Sequence, residues 1–127
     1  MTLPVNTGVE AAPNFLSNLE AAQRFLVAQD ADTASERFRK LKAELREMIT
    51  ILGWSPAAGR PARFLTARSA QARLRAESVQ QLAAQAGLPN LREYVVSRYI
   101  VLYAHSEAEV VLLALKHQRQ LTYWVEG

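Results

Sequence analysis

Two hydrophobic rhythms divide this chain. Up to about Leu82, apolar residues recur every three or four positions, as on a helix with one buried stripe. From Leu91 to Leu115 they gather instead in short runs rich in Val, Ile and Tyr, as in strands. Phe15, Leu19, Ala22 and Leu26 form the first stripe, on a helix expected to be capped by Asn14 after Pro13 and to end near Gln29. Asp30 to Asp32 reads as a polar turn. Thr33 and Glu36 then match a capping box opening a second helix, which Gly53 stops. Phe38, Leu41, Leu45, Met48 and Leu52 make its apolar stripe, while Arg37, Arg39, Lys40, Lys42, Glu44, Arg46 and Glu47 occupy the other faces. So short a connection predicts an antiparallel helical hairpin.

Around this hairpin the signals are weaker. Val5 to Ala12 alternates only in part and reads as a weak strand, and Trp54 to Pro61, with two prolines and a glycine, as an irregular connection. A third helix is expected from Ser69 or Gln71 to Ala86, closed by Gly87 and Pro89. Its stripe of Leu74, Ser78, Val79 and Leu82 is narrow, which predicts a peripheral position.

Leu91 to Gln120 is the most informative stretch. Its apolar runs, Leu91 to Val96, Tyr99 to Ala104 and Glu109 to Leu115, are separated by short polar breaks and predict an antiparallel meander of two tight hairpins. The fold class is therefore α+β, an N-terminal helical hairpin packed on a small antiparallel sheet within one domain spanning 1–127. A sheet covered on one side should alternate apolar and polar residues, yet Tyr99 to Tyr103 and Val110 to Leu115 are apolar on both faces. Either the third helix wraps around to the second face or another chain binds there, and the isolated protein is expected to expose apolar sheet surface or to self-associate through it.

Composition narrows the possibilities. With 127 residues, half of them hydrophobic, the chain can bury one core without a metal or disulfide. It has no Cys, no signal-peptide pattern at its start and no apolar run long enough for a membrane span, so a cytoplasmic protein is expected. Two widely separated histidines offer no metal-ligand spacing, and no cofactor is implied. The net charge is +3. Positive charge is concentrated at Arg60, Arg63, Arg68, Arg73 and Arg75, with no acid until Glu77, and because only Phe64 is interleaved this reads as a solvated basic loop rather than a nucleic-acid groove.

The chemistry-bearing residues sit at the end of the meander. His117 and Arg119 follow the last run, and period-2 alternation places them on the face of Leu113 and Leu115, to emerge together at the sheet's end, with Lys116, Arg98 and Tyr123 as further candidates. Such a cluster could bind phosphate. The plainer readings are a hydrogen-bonded histidine at a strand end for His117, a structural or solvent-facing His105, core or edge packing for Tyr94, Tyr99 and Tyr103, and core capping for Tyr123 and Trp124. Glu36, Glu44 and Glu47 have basic neighbours and form no carboxylate pair.

A weak strand, a helical hairpin, a loop of form P-x-x-G-R-P (Pro56, Gly59, Arg60, Pro61) and the block from Arg92 through Glu93, Val95, Val96, Tyr99, Val101 and Tyr103 to Glu109–Leu113, Leu115, His117 and Arg119 together resemble the RelE/ParE superfamily. These are toxins of type II toxin-antitoxin (plasmid stabilisation) systems. The sequence departs from the family pattern at about 64–90, where an extra helical segment is inserted. The resemblance implies a cytoplasmic bacterial toxin silenced by a cognate antitoxin, whose segment would cover the doubly apolar strands at Tyr99, Val101, Tyr103, Val111 and Leu113, in a complex that could be a heterotetramer.

It implies two alternative activities. A branch similar to ParE inhibits DNA gyrase by binding, with Arg60, Arg92, Arg98 and Lys116 as candidate target contacts. A branch similar to RelE cleaves mRNA on the ribosome without a metal, and His117, Arg119 and Tyr123 would then be catalytic, with Arg98 or Arg92 at the phosphate. RelE-like nucleases carry an arginine on the middle strand at the position of Ile100, which favours the ParE-like branch. A toxin fold that has lost activity and serves only as a binding partner is the third reading.

Overall fold

The computed structural model describes residues 8–62, 70–120 and 123–125, with the backbone alone over 70–76. Strand β1 (Gly8–Ala11) leads into helix α1 (Pro13–Gln29), then α2 (Ala31–Trp54), a 3₁₀ turn (Pro56–Ala58), β2 (Arg60–Pro61), α3 (Ala70–Ala86) and the meander β3 (Asn90–Val96), β4 (Tyr99–His105) and β5 (Glu109–His117). The five strands form one sheet in the order β1-β5-β4-β3-β2. The α+β architecture is as expected, with one difference of detail: β1 joins β5 in parallel, so the sheet is mixed. Val5 to Thr7 of the weak strand lie outside the described residues.

The helical hairpin covers one face of the sheet, here called the first. Phe15 of α1 and Leu41, Leu45, Met48 and Leu52 of α2 pack on Val96, Val101, Tyr103, Val110, Leu112 and Leu115. Two caps differ from expectation. Asn14 is buried inside α1 and the extended Ala12 stands at the N-cap without a side-chain bond. Helix α2 starts earlier than the Thr33 to Glu36 pattern predicts, because Asp30 caps it, accepting the Asp32 N–H at 3.1 Å. At its other end Gly53 is a buried helical residue and α2 continues to Trp54.

The second face is also covered, which resolves the doubly apolar strands. Helix α3 lays Val79, fully buried, with Leu82, Ala83 and Ala86, against Ile100, Leu102, Ala104, Leu113 and Ala114, and Tyr123 completes this second core. Helix α3 thus supplies the cover that was expected either of it or of another chain, and the predicted exposed apolar sheet face is absent among the described residues. Ser78 is exposed and does not join this contact, and the side chain of Leu74 lies outside the described residues. Of the basic stretch, Arg63 and Arg68 and the side chains of Arg73 and Arg75 lie outside the described residues. No described helix is long and apolar enough to cross a membrane.

One irregularity in β5 decides where its charged residues point. Tyr103 pairs with Leu112 and Leu102 with Ala114, which leaves Leu113 as an extra residue in a β-bulge. Leu113 and Ala114 consequently both face the second core, and Leu115 returns to the first. Regular alternation had placed Leu113, Leu115, His117 and Arg119 on one face; the bulge separates Leu113 from the others. His117 is moreover the last residue of β5, not a residue beyond it.

Candidate functional site: the cationic end of the sheet

The ends of β3, β4 and β5 bring most of the candidate residues to one side of the molecule, where the bulge sorts them onto two faces. On the first face His117 lies opposite Tyr99, their rings edge to face with centroids 5.3 Å apart. A backbone N–H can only donate, so the 3.1 Å bond from Arg119 N to His117 Nδ1 puts the ring proton on Nε2. The turn after β5 is tied to the turn after β3: Gln118 N donates to the Arg98 carbonyl at 2.8 Å and Gln118 Nε2 to that of Ser97 at 3.0 Å, with Ser97 at a positive φ of 54°. Arg98 and Arg119 are exposed, and His117 is half-buried. Partial burial first, then the charges of Arg119, Arg98 and Lys116, hold the His117 imidazole below its ordinary value of 6.5, so the neutral ring prevails at pH 7.

On the second face the hub is Glu93, a residue the sequence reading matched to the family pattern without assigning a role. It is only 2% exposed. Its carboxylate accepts the Tyr123 hydroxyl and lies 3.6 Å from Arg60 Nε, which has no hydrogen-bond partner of its own. Lys116 stands over the Tyr123 ring at 5.5 Å and donates to the Gln120 carbonyl at 3.0 Å. Burial lowers Lys116 from the usual lysine value, Glu93 opposes this and Arg60 adds to it. Tyr123 is pushed far above the ordinary phenol range, by burial first and then by its bond to Glu93. Its phenol is therefore a structural donor. Tyr123 caps the core as expected, whereas Trp124 is 57% exposed.

Arg92 belongs to neither group. On the first face it donates through Nη1 to the Gly59 carbonyl at 3.1 Å and through Nε to His105 Nε2 at 3.0 Å, so His105 carries its proton on Nδ1, facing the Ser106 carbonyl at 3.1 Å. His105 is buried and structural. The P-x-x-G-R-P loop is anchored at the same place: Gly59 N donates to the Tyr103 hydroxyl at 2.9 Å, which donates in turn to the Pro56 carbonyl at 2.7 Å.

Of the residues expected to meet an antitoxin, Val101, Tyr103 and Leu113 are buried beneath this chain's own helices, and Tyr99 and Val111 are partly open. Ile100 is buried on the second face. Asn14, expected only as a helix cap, and Asn18, missed in the sequence, hold the bulged part of β5 and the C-terminal segment together. Their i, i+4 spacing beside the apolar stripe is the one available signal, and it reads equally well as a solvated face. Among the described residues no group of His, Asp and Glu could hold a metal ion.

Among the described residues the arrangement offers two cationic surfaces back to back, His117 standing on one and the bonded Glu93–Tyr123 pair buried at the other. No curated protein matches the chain. The family model of the ParE toxin of type II toxin-antitoxin systems (parDE) matches residues 9–122, from β1 through the meander and its cationic end. The match covers both helices of the hairpin, α3, strands β2 to β5 and all but the first residue of β1, and on it this chain belongs to the ParE toxin family.

Proposed function

We propose that this protein is a growth-inhibiting toxin that acts by binding its target, DNA gyrase, without cleaving RNA, and that a cognate antitoxin neutralises it. Family membership implies the antitoxin. The observation that carries the binding reading is the division made by the β5 bulge. His117 and Tyr123, two of the three groups a RelE-like nuclease would need, stand on opposite faces of the sheet, and the Tyr123 phenol is held by Glu93. General acid–base catalysis needs both groups within reach of one phosphate. Ile100 adds to this, because an apolar side chain stands where a RelE-like enzyme would present an arginine.

Expression of the chain without its antitoxin tests the reading. SOS induction with filamentation, and inhibition of supercoiling by purified gyrase, is the expected outcome. Rapid translation arrest with ribosome-bound transcripts cleaved, and cleavage abolished by His117→Ala, would replace it with the endoribonuclease. Unimpaired growth would leave an inactive toxin-fold binding protein.

A further inference from the structure

The candidate cations differ in how each is held. Arg92 is bonded to the Gly59 carbonyl and to His105, Arg60 lies beside the buried carboxylate of Glu93, and Lys116 is half-buried over Tyr123 and bonded to Gln120. Arg98 and Arg119 stand apart from these. Both are exposed, and among the described residues no ion pair or hydrogen bond engages either guanidinium.

The turns that carry them are tied into one knuckle. Gln118 N and Nε2 donate to the carbonyls of Arg98 and Ser97 at 2.8 and 3.0 Å. Gln120 closes the second turn on His117, donating its N–H to the His117 carbonyl at 3.0 Å and accepting the His117 N–H through Oε1 at 2.8 Å. The two arginines are thus fixed on adjoining turns, which leaves little backbone freedom to lose on binding. No Asp or Glu occurs between Glu93 and Glu107 or between Glu109 and Glu126, so neither turn carries an acid. The charges of Arg119, Arg98 and Lys116 act on the His117 ring, and Arg37 of α2 acts on Tyr99 beside it. With Nδ1 accepting from Arg119 N, the ring keeps an Nε2–H to donate.

A nucleic-acid strand would need a cationic groove that tracks its backbone and open aromatic faces for its bases. Here the Tyr99 ring is set edge to face against His117, and the basic residues of α2 are interrupted by Glu36, which pairs with Arg39, and by Glu44 and Glu47. The cationic surface is therefore compact, the size of a few carboxylates. We propose that Arg98, Arg119 and His117 form the docking point for an acidic segment of the target protein, whose carboxylates bond the two guanidiniums. The proposal rests on the gyrase reading above. A carboxylate arriving beside His117 offsets the cations that hold the ring neutral, so binding takes up a proton and strengthens as pH falls from about 8 to 6.

Binding of the full chain to purified gyrase, with supercoiling inhibition alongside, tests it. Arg98→Glu and Arg119→Glu are each expected to weaken binding by about tenfold at low salt and by less at high salt. Arg24→Glu, the same charge change at an exposed position of α1, is expected to alter it by less than about twofold. His117→Gln should reduce the gain in affinity at lower pH, and an undiminished gain overturns the part given to His117. Gyrase binding that survives both reversals overturns the docking point and leaves the gyrase reading standing. An equal loss from Arg24→Glu overturns it in favour of steering by net charge. Failure of the unaltered chain to bind or inhibit gyrase overturns that reading, and the docking point falls with it. Binding of duplex DNA or RNA alone that the same two reversals abolish overturns it in favour of nucleic acid.

Discussion

The side-chain oxygen of Asn18 accepts the backbone N–H of Leu115 at 2.9 Å, joining α1 to β5 across 97 residues of sequence. Strand β1 stops at Ala11, and Ala12 N still donates to Leu112 O at 2.8 Å. Beyond that the chain turns into α1 and its side chains take over. Asn14 Nδ2 donates to Leu113 O at 3.1 Å, and both asparagines donate to the Trp124 carbonyl. A bulge disrupts the ladder and leaves backbone groups that need partners, and these asparagines supply them. Asn18→Ala is expected to destabilise by about 1–3 kcal/mol, the range for stranding a buried donor, measured by denaturant unfolding. Asn18→Asp can still accept from Leu115 but cannot donate to Trp124, and it buries a charge, so it should not restore stability.

Gly59 is required for space, not for an unusual backbone. Its φ is −75°, open to any residue, but a Cβ there would lie 2.5 Å from the Glu93 carbonyl oxygen and 2.7 Å from the Tyr103 hydroxyl. Gly59→Ala should force β2 off β3 and destabilise by about 1–3 kcal/mol, as overpacking does. Loss of the slow-exchanging amides at Arg92 and Glu93 would distinguish local detachment from global weakening.

Alkaline stability should be limited by phenols. Tyr99, Tyr103 and Tyr123 are all raised above 10.0, burial being the first cause in each. The folded state then holds more protons than the unfolded state above pH 10, so this stabilisation is complete below pH 10 and lost as pH rises past it. Unfolding midpoints against pH check this. Tyr123→Phe should flatten the alkaline decline, while costing about 1–3 kcal/mol at pH 7 because Glu93 loses a donor.

His117 should titrate below 6.5 in the folded protein, since burial and three cations disfavour its charged form. The unfolded chain binds the proton first, so the contribution is present above pH 6.5 and declines as pH falls through the folded value. Ring NMR signals measure the midpoint directly. Arg119→Ala and Arg98→Ala should each move it upward, and a midpoint unmoved by either would show that the cations do not converge on the ring.

The sequence by itself determined the elements, because helix and strand periods are local. The stripes of Phe15 to Leu26 and Leu41 to Leu52, and the alternation of Tyr99, Val101 and Tyr103 against Ile100, Leu102 and Ala104, are all found in the core where the pattern put them. The double apolarity of β4 and β5 also stated that both faces are covered. Only the tertiary structure decided that α3 covers the second face, since a helix as short of apolar residues as this one carries no record of what it packs on. It likewise decided the site. One extra residue at Leu113 moves Lys116 to the face of Glu93 and Tyr123 and leaves His117 beside Tyr99. A bulge is set by pairing with β4 and by asparagines some hundred positions away, contacts of long range that no local period can register.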